Sequence, residues 1–198
     1  MNELILASAS TARARLLAAA GVRFRAVPAN IDEAAVKSGL RAQHRSHGNI
    51  AAELAERKAR EVAHGHPGAL VLGADQVLAF AGELVSKCAN FTEARTLLER
   101  LRGQEHELIT AVVLFANGTV VWRHVTASRL RMRAFGAAFL EDYMRNAGET
   151  ILGSVGCYEL EGLGAQLFEE IEGDYFSILG LPLLPLLTAL RDFGVLAT

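Results

Sequence analysis

The chain has 198 residues, 51% of them hydrophobic, with a formal charge of −2. That size suits one large domain, or two lobes sharing a core, and supplies ample apolar material for an interior. The charge gives no global basic field, so wholesale nucleic-acid binding is excluded as a reading, and no apolar run approaches the ~20 residues a membrane span needs.

The start, Met1-Asn2-Glu3-Leu4-Ile5-Leu6, lacks the basic n-region of a secretory leader. Two cysteines, Cys88 and Cys157, carry no spacing that implies a bridge, and a reducing cytoplasm is the expected setting. Leu4 to Ala7 reads as a short buried strand, followed by Ser8-Ala9-Ser10 and a helix from Thr11 to about Ala20. Ser10 is the expected N-cap, Gly21 the stop, and Leu16, Leu17 and Ala20 the apolar face. A strand, serine-rich turn and helix leave free N–H groups at a positive dipole end, which suits a phosphate. Arg13 opposes that dipole from the first turn, so it either has an anionic partner or is solvated. No G-x-G-x-x-G is present, which argues against a dinucleotide-binding turn.

A second strand is expected near Phe24 to Val27. Ile31-Asp32-Glu33 then leads into a polar, basic stretch, Lys37 to Gly48, read as a mobile loop with at most a short helical piece. His44, His47, His64 and His66 have no recognisable zinc spacing and read as solvated. Asn49 is the expected cap of the next helix, which runs to about His64. At ~100° per residue, Ile50, Ala51, Leu54, Ala55, Ala59 and Val62 form one broad arc. Lys58 falls in the middle of it, where a lysine either snorkels to an edge or reaches an anion in a cleft.

Leu70 to Leu78, bounded by Pro67-Gly68 and Gly82, is a near-continuous apolar run and reads as a strand covered on both faces. Asp75 interrupts it. A carboxylate there is either a satisfied structural group or the residue the scaffold exists to place. A turn at Ala81-Gly82-Glu83 and a strand over Leu84 to Lys87 follow. Phe91 to Leu101 is the next expected helix, capped by Thr92. Two long strands, about Glu107 to Phe115 and Thr119 to Arg133, are joined by the hairpin signal Asn117-Gly118. Arg129, Arg131 and Arg133 alternate with Leu130 and Met132 as a wet strand face. A helix over Ala137 to Ala147 precedes a glycine-rich stretch, Gly153 to Gly164, whose glycines imply close backbone approach or positive φ. Glu169, Glu170, Glu172 and Asp174 form an acidic run read as solvated surface, and Gly180-Leu181-Pro182 opens the last helix.

A serine turn with Arg13, carboxylates Glu33 and Asp75, and lysines Lys58 and Lys87 are the groups that metal-assisted chemistry on a polyphosphate requires. Leu6-Ala7-Ser8-Ala9-Ser10 with Arg13, Leu16 and Leu17 comes first, then Ile31-Asp32-Glu33 and Leu54-Ala55-Glu56-Arg57-Lys58-Ala59. Gly73-Ala74-Asp75-Gln76-Val77, Lys87, Thr110, Glu161-Gly162-Leu163-Gly164, Ile171 to Tyr175 and Gly180-Leu181-Pro182 complete a collinear set. In these motifs the chain resembles the Maf family of nucleoside triphosphate pyrophosphatases over nearly its whole length. The resemblance implies a single α/β domain, residues 1–198, with an inosine-triphosphate-pyrophosphatase-like fold: a long twisted mixed sheet and two lobes around a deep cleft. It implies a cytoplasmic homodimer that cleaves a nucleoside triphosphate to the monophosphate and diphosphate with Mg²⁺ or Mn²⁺. Asp75 would accept the proton of the attacking water and, with Glu33, hold the metal. Ser8, Ser10, Arg13, Lys58 and Lys87 would bind phosphate.

Two departures bear on selectivity and strength. Thr11-Ala12 stands where the family has Pro with Arg or Trp, and Ser86-Lys87-Cys88 where it has Gly-Lys-Pro. Ala12, Gln76 and Glu161 match the family's specificity positions. Gln76 with Glu161 resembles the subfamily that prefers 7-methyl-GTP, and a glutamate can accept from the N1–H and 2-amino groups of guanine. Against this, no aromatic stands at Ala12 to stack on a cationic purine. A pyrimidine-preferring (dTTP or UTP) member and a weakly catalytic nucleotide-binding regulator of septum formation are the rival readings.

Overall fold

The computed structural model describes residues 3–197; Met1 and Asn2, on which the leader reading partly rests, lie outside the described residues. In chain order the elements are β1 (Leu4–Leu6), α1 (Thr11–Ala19), β2 (Arg25–Ala26), α2 (Glu33–Ala42) and α3 (His47–His64). Then come β3 (Leu70–Phe80), β4 (Glu83–Val85), α4 (Phe91–Leu101), β5 (Glu105–Ala116) and β6 (Thr119–Met132). α5 (Ala137–Ala147), β7 (Phe168–Glu172), α6 (Tyr175–Ile178) and α7 (Leu183–Asp192) complete the chain. The strands form one mixed sheet in the order β2-β1-β3-β5-β6-β7, with β4 paired to β3. Its pairs are parallel where β1 meets β2 and β3, and antiparallel at β3–β4 and β6–β7. The α/β class expected from the sequence is the one observed.

By contact density the chain divides into two compact units. One comprises the chain up to Gln76, Thr110–Thr126 and the chain from Gly180 onward; the other comprises Val77–Ile109 and Ala127–Leu179.

In the first unit, β1 is fully buried between β2 and β3, which is why its sequence is apolar on both faces. The α3 arc is as the periodicity requires: Ile50, Ala51, Leu54, Ala55, Ala59 and Val62 are all buried. Small residues let this helix lie very close to β3. A Cβ built on Gly73 would meet the Ala55 carbonyl oxygen at 2.1 Å and the Ala59 Cβ at 2.8 Å, so only glycine fits there. Gly73→Ala must therefore push helix and strand apart, and an overpacking cost of about 1–3 kcal/mol is expected. A urea midpoint unchanged in that variant would contradict the contact.

Three local expectations are corrected. Residues 37–42 are not a loop: α2 occupies Glu33–Ala42, capped by Asp32, whose Oδ1 accepts from the Ala35 N–H at 2.9 Å. Its Val36 and Leu40, one turn apart, are half-buried, and the helix packs on α3. The α3 cap is Ser46, not Asn49; Asn49 instead supplies the N–H that Ser46 Oγ accepts. The α4 cap is Asn90, not Thr92, with Oδ1 accepting from the Glu93 N–H. In both cases a better-placed acceptor lies two or three residues upstream, as a cap-to-N3 bond requires. The turns behave as read: Ala81-Gly82 and Asn117-Gly118 all have positive φ, the geometry of a tight two-residue hairpin.

The second unit is built around a core of Leu78, Leu97, Leu98, Leu101, Leu130, Met132, Tyr143 and their neighbours. The arginine face of β6 is wet, and it is also paired. Arg129 stands opposite Glu172 and Arg131 opposite Glu170 across the β6–β7 register, so much of the acidic run is a cross-strand ion-pair ladder. Asp174 leaves the run to cap α6, accepting from the N–H and Oγ of Ser177. In the glycine-rich stretch the close-approach alternative is the observed one. A Cβ on Gly156 would strike the Tyr158 ring and one on Gly164 the Glu159 backbone, while the positive φ in this segment belongs to Cys157.

His106 is buried on β5, its Nε2 2.8 Å from Tyr158 Oη, and burial pushes its pKa down to about 4. Between that value and the ordinary 6.5, the unfolded chain takes up a proton that the folded chain refuses. The penalty is absent above pH 6.5, grows as pH falls, and is complete below the folded value. It amounts to about 3 kcal/mol. Urea titrations at pH 7.5 and 4.5 should show a smaller acid loss for His106→Gln than for the natural chain; equal losses would refute it.

Candidate active site

The site is assembled in the first unit from β1, α1, α2, α3 and β3. Ser10 caps α1, accepting from the Arg13 N–H at 3.3 Å, which fixes the first turn. Arg13 is consequently turned inward and buried, not solvated. Its Nη1 donates to Ser8 Oγ at 3.1 Å and its Nε to the Gly180 carbonyl at 2.8 Å. Ser8 Oγ also accepts from the Ser10 N–H at 3.2 Å. Gly180, at φ +98°, runs directly beneath the guanidinium, 3.3 Å from Nε to a Cβ built there. Burial pulls the Arg13 pKa down, and the negative charges of Asp75 and Glu33 oppose that shift; a guanidinium in this setting stays charged.

Lys58 answers the question its position raised. It is 8% exposed, and its ammonium lies between two carboxylates: 2.6 Å from Asp75 Oδ1 and 2.7 Å from Glu33 Oε1. Glu33 Oε2 also faces Lys37 at 3.6 Å. The close α3–β3 approach at Gly73 brings Lys58 within reach of Asp75, two residues further along the strand. Asp75 is 3% exposed, and its other oxygen, Oδ2, is buried without a hydrogen-bond partner. An orphaned anionic acceptor is costly. Its presence beside two cations marks a group set for something other than stability.

Gln76 follows on β3, half-buried, with Nε2 donating to Thr110 Oγ1 at 2.8 Å. Ala12 lies half-buried in the first turn of α1. Lys87 and Glu161 belong to the second unit: Lys87 is exposed on the segment between β4 and α4, and Glu161 is exposed just before a short 3₁₀ turn over Leu163–Leu167. Of the expected residues, then, Ser8, Ser10, Arg13, Glu33, Lys58 and Asp75 come together in one unit. The contribution that residue types could not signal is the Gly180 carbonyl, a backbone group.

Glu33 and Asp75 offer the hard oxygen donors that suit a divalent cation, and Asp75 Oδ2 is an open one. Among the described residues no third histidine, cysteine or acidic side chain joins them. The remaining positions of such an ion would fall to water and phosphate oxygens.

Buried cations set against two carboxylates, Asp75 midway along β3 and Glu33 at the start of α2, define an α/β protein with a site suited to a polyanion. The family model described as Maf-like protein matches residues 3–193, and the chain belongs to that family. Its seven-stranded mixed sheet agrees with the fold class the family implies. It is 48% identical to a nucleoside triphosphate pyrophosphatase of Caulobacter vibrioides, over 99% of this chain and 98% of the relative. It is 49% identical to one of Paramagnetospirillum magneticum, over 97% and 99%. A 7-methyl-GTP pyrophosphatase of Rhizobium meliloti is 47% identical, over 98% of this chain and 97% of its own. No helix of the described residues is long and apolar enough to cross a membrane.

Proposed function

We propose that the chain hydrolyses a nucleoside triphosphate to the monophosphate and diphosphate. The observation that carries this reading is the buried Asp75, one oxygen held by Lys58 and the other unpartnered. Water adds to the α-phosphorus, its proton passes to Asp75 Oδ2, and the bond to the β-phosphate bridging oxygen breaks. Arg13 and Lys58, with Ser8, Ser10 and Lys87, bind phosphate oxygens and offset the charge that develops. Glu33 and Asp75 would hold Mg²⁺ or Mn²⁺, which when bound neutralises phosphate charge. The dimer expected from the family belongs to the same reading.

For the base, the reading is a guanine-type purine such as 7-methyl-GTP. Gln76, oriented by its bond to Thr110, and Glu161 supply the acceptors and donors that a guanine edge requires. Names carried by relatives of comparable identity divide between the general activity and 7-methyl-GTP, and so support the reaction more strongly than the base.

The test is a panel of 7-methyl-GTP, GTP, UTP and dTTP with Mg²⁺ or Mn²⁺, products resolved by chromatography. Diphosphate and monophosphate in equal amounts are expected, fastest with 7-methyl-GTP. Stepwise release of orthophosphate would overturn the reaction, and faster turnover of UTP or dTTP would overturn the base.

A further inference from the structure

The acidic and basic side chains of the first unit form one chain of alternating charge. Asp75 on β3 meets Lys58 at 2.6 Å, Lys58 meets Glu33 at 2.7 Å, and Glu33 meets Lys37 at 3.6 Å. Glu33 and Lys37 stand one turn apart on α2 as an i,i+4 pair. Such a pair on a helix surface ordinarily does no more than support the helix. Three features set this one apart. Glu33 already has a shorter and better buried partner in Lys58, so Lys37 is a second ammonium on one carboxylate. At 3.6 Å its contact is longer than a hydrogen bond. The lysine side chain is also less exposed than the glutamate it faces, 29% against 42%, so it lies along the protein and not out in solvent. With Arg13, on which both carboxylates act, the group sets three cations against two anions.

We propose that Lys37 is a further phosphate-binding residue, which takes an oxygen of the terminal phosphates and holds the diphosphate as it leaves. The proposal deepens the pyrophosphatase reading above and rests on it. An anion entering the site competes with Glu33 for its lysines. Lys58 is held on two sides by short ion pairs, whereas Lys37 is held by one long contact and yields first. Its flexible four-carbon stem lets the ammonium swing from Glu33 to a phosphate oxygen with no movement of α2. The neighbours set the direction. In that reading the attacked phosphorus lies at Asp75, and Lys58 and Glu33 lead from there onto α2. Gln76, read as meeting the base, is bonded instead to Thr110 on β5. Base and terminal phosphates are then held from different elements, with the α-phosphate between them.

Binding of inorganic diphosphate, and of the monophosphate released from the best triphosphate, is measured by calorimetry with Mg²⁺ present. The natural protein, Lys37→Gln and Lys37→Arg are compared. Lys37→Gln should bind diphosphate about tenfold more weakly and the monophosphate within about twofold of the natural protein. Lys37→Arg should keep most of the diphosphate affinity, because the charge remains. For the triphosphate, KM of Lys37→Gln should rise with kcat little changed, as for an interaction made in ground and transition states alike. Glutamine is a good helix former, so α2 persists, and circular dichroism checks it. Unchanged diphosphate affinity in Lys37→Gln would mark a plain surface pair, and an equal fall for both products a loosened α2; either overturns the proposal. So would a Lys37→Arg variant as weak as Lys37→Gln. A natural protein that turns over no triphosphate counts against the reaction itself. An active natural protein whose diphosphate affinity is indifferent to residue 37 counts against Lys37 alone.

Discussion

Asp75→Asn removes turnover while leaving the fold in place. Asparagine keeps the shape of the buried side chain and can still accept from Lys58, but its amide cannot take a proton from water. General-base assistance is worth about 10²–10⁴ in rate, and a fall of that size is expected in kcat. KM should change far less, because the lost interaction belongs to the transition state. Circular dichroism and the thermal midpoint establish that the fold persists. Turnover within a few-fold of the natural rate would remove Asp75 from the role of base.

Lys58→Met has the second large effect, on stability as well as rate. One ammonium serves both Asp75 and Glu33, so its removal leaves two carboxylates facing each other, one of them 3% exposed. Breaking a buried ion pair by deleting one partner costs about 3–5 kcal/mol. Glu33, with its side chain 42% exposed, contributes little of this because solvent screens it. A loss of about 3 kcal/mol is therefore expected in urea unfolding. The double variant Lys58→Met with Asp75→Asn should recover part of it, since no buried charge is then left unpaired. A single-variant loss below about 1 kcal/mol, or no recovery in the double, would mean the pair is not the buried contact described.

The most informative residue in the sequence was Lys58. Helical periodicity alone put it at the centre of an apolar arc, where a cation needs an anion. What periodicity could not name was the anion, because Glu33 and Asp75 lie on other elements and their approach is a tertiary fact. Asp75 stood out for the converse reason, as a charge inside a strand buried on both faces. Arg13 was ambiguous because its hydrogen bonds run to a serine hydroxyl and the Gly180 carbonyl, and a backbone carbonyl carries no residue signature. Helix α2 escaped because Lys37, Ser38 and Gly39 obscure the two apolar positions, Val36 and Leu40, that seat it on α3. The caps at Ser46 and Asn90 were missed by two or three residues, since Asn49 and Thr92 are also competent cap types and only geometry chooses between them.

The contact of Gly73 with Ala55 and Ala59 also bears on how firmly the site is held. None of these three residues has a side-chain torsion that could change, so this junction has no alternative packing to sample. Leucines or methionines in their place would let helix and strand slide and repack within the thermal range. Here the spacing between the backbones that carry Lys58 and Asp75 is set by atoms with no internal freedom. The only adjustable parts of that ion pair are the lysine methylenes and the carboxylate rotation. The reacting groups therefore have a fixed frame with a single flexible arm, and chemical precision depends on three of the smallest side chains in the protein.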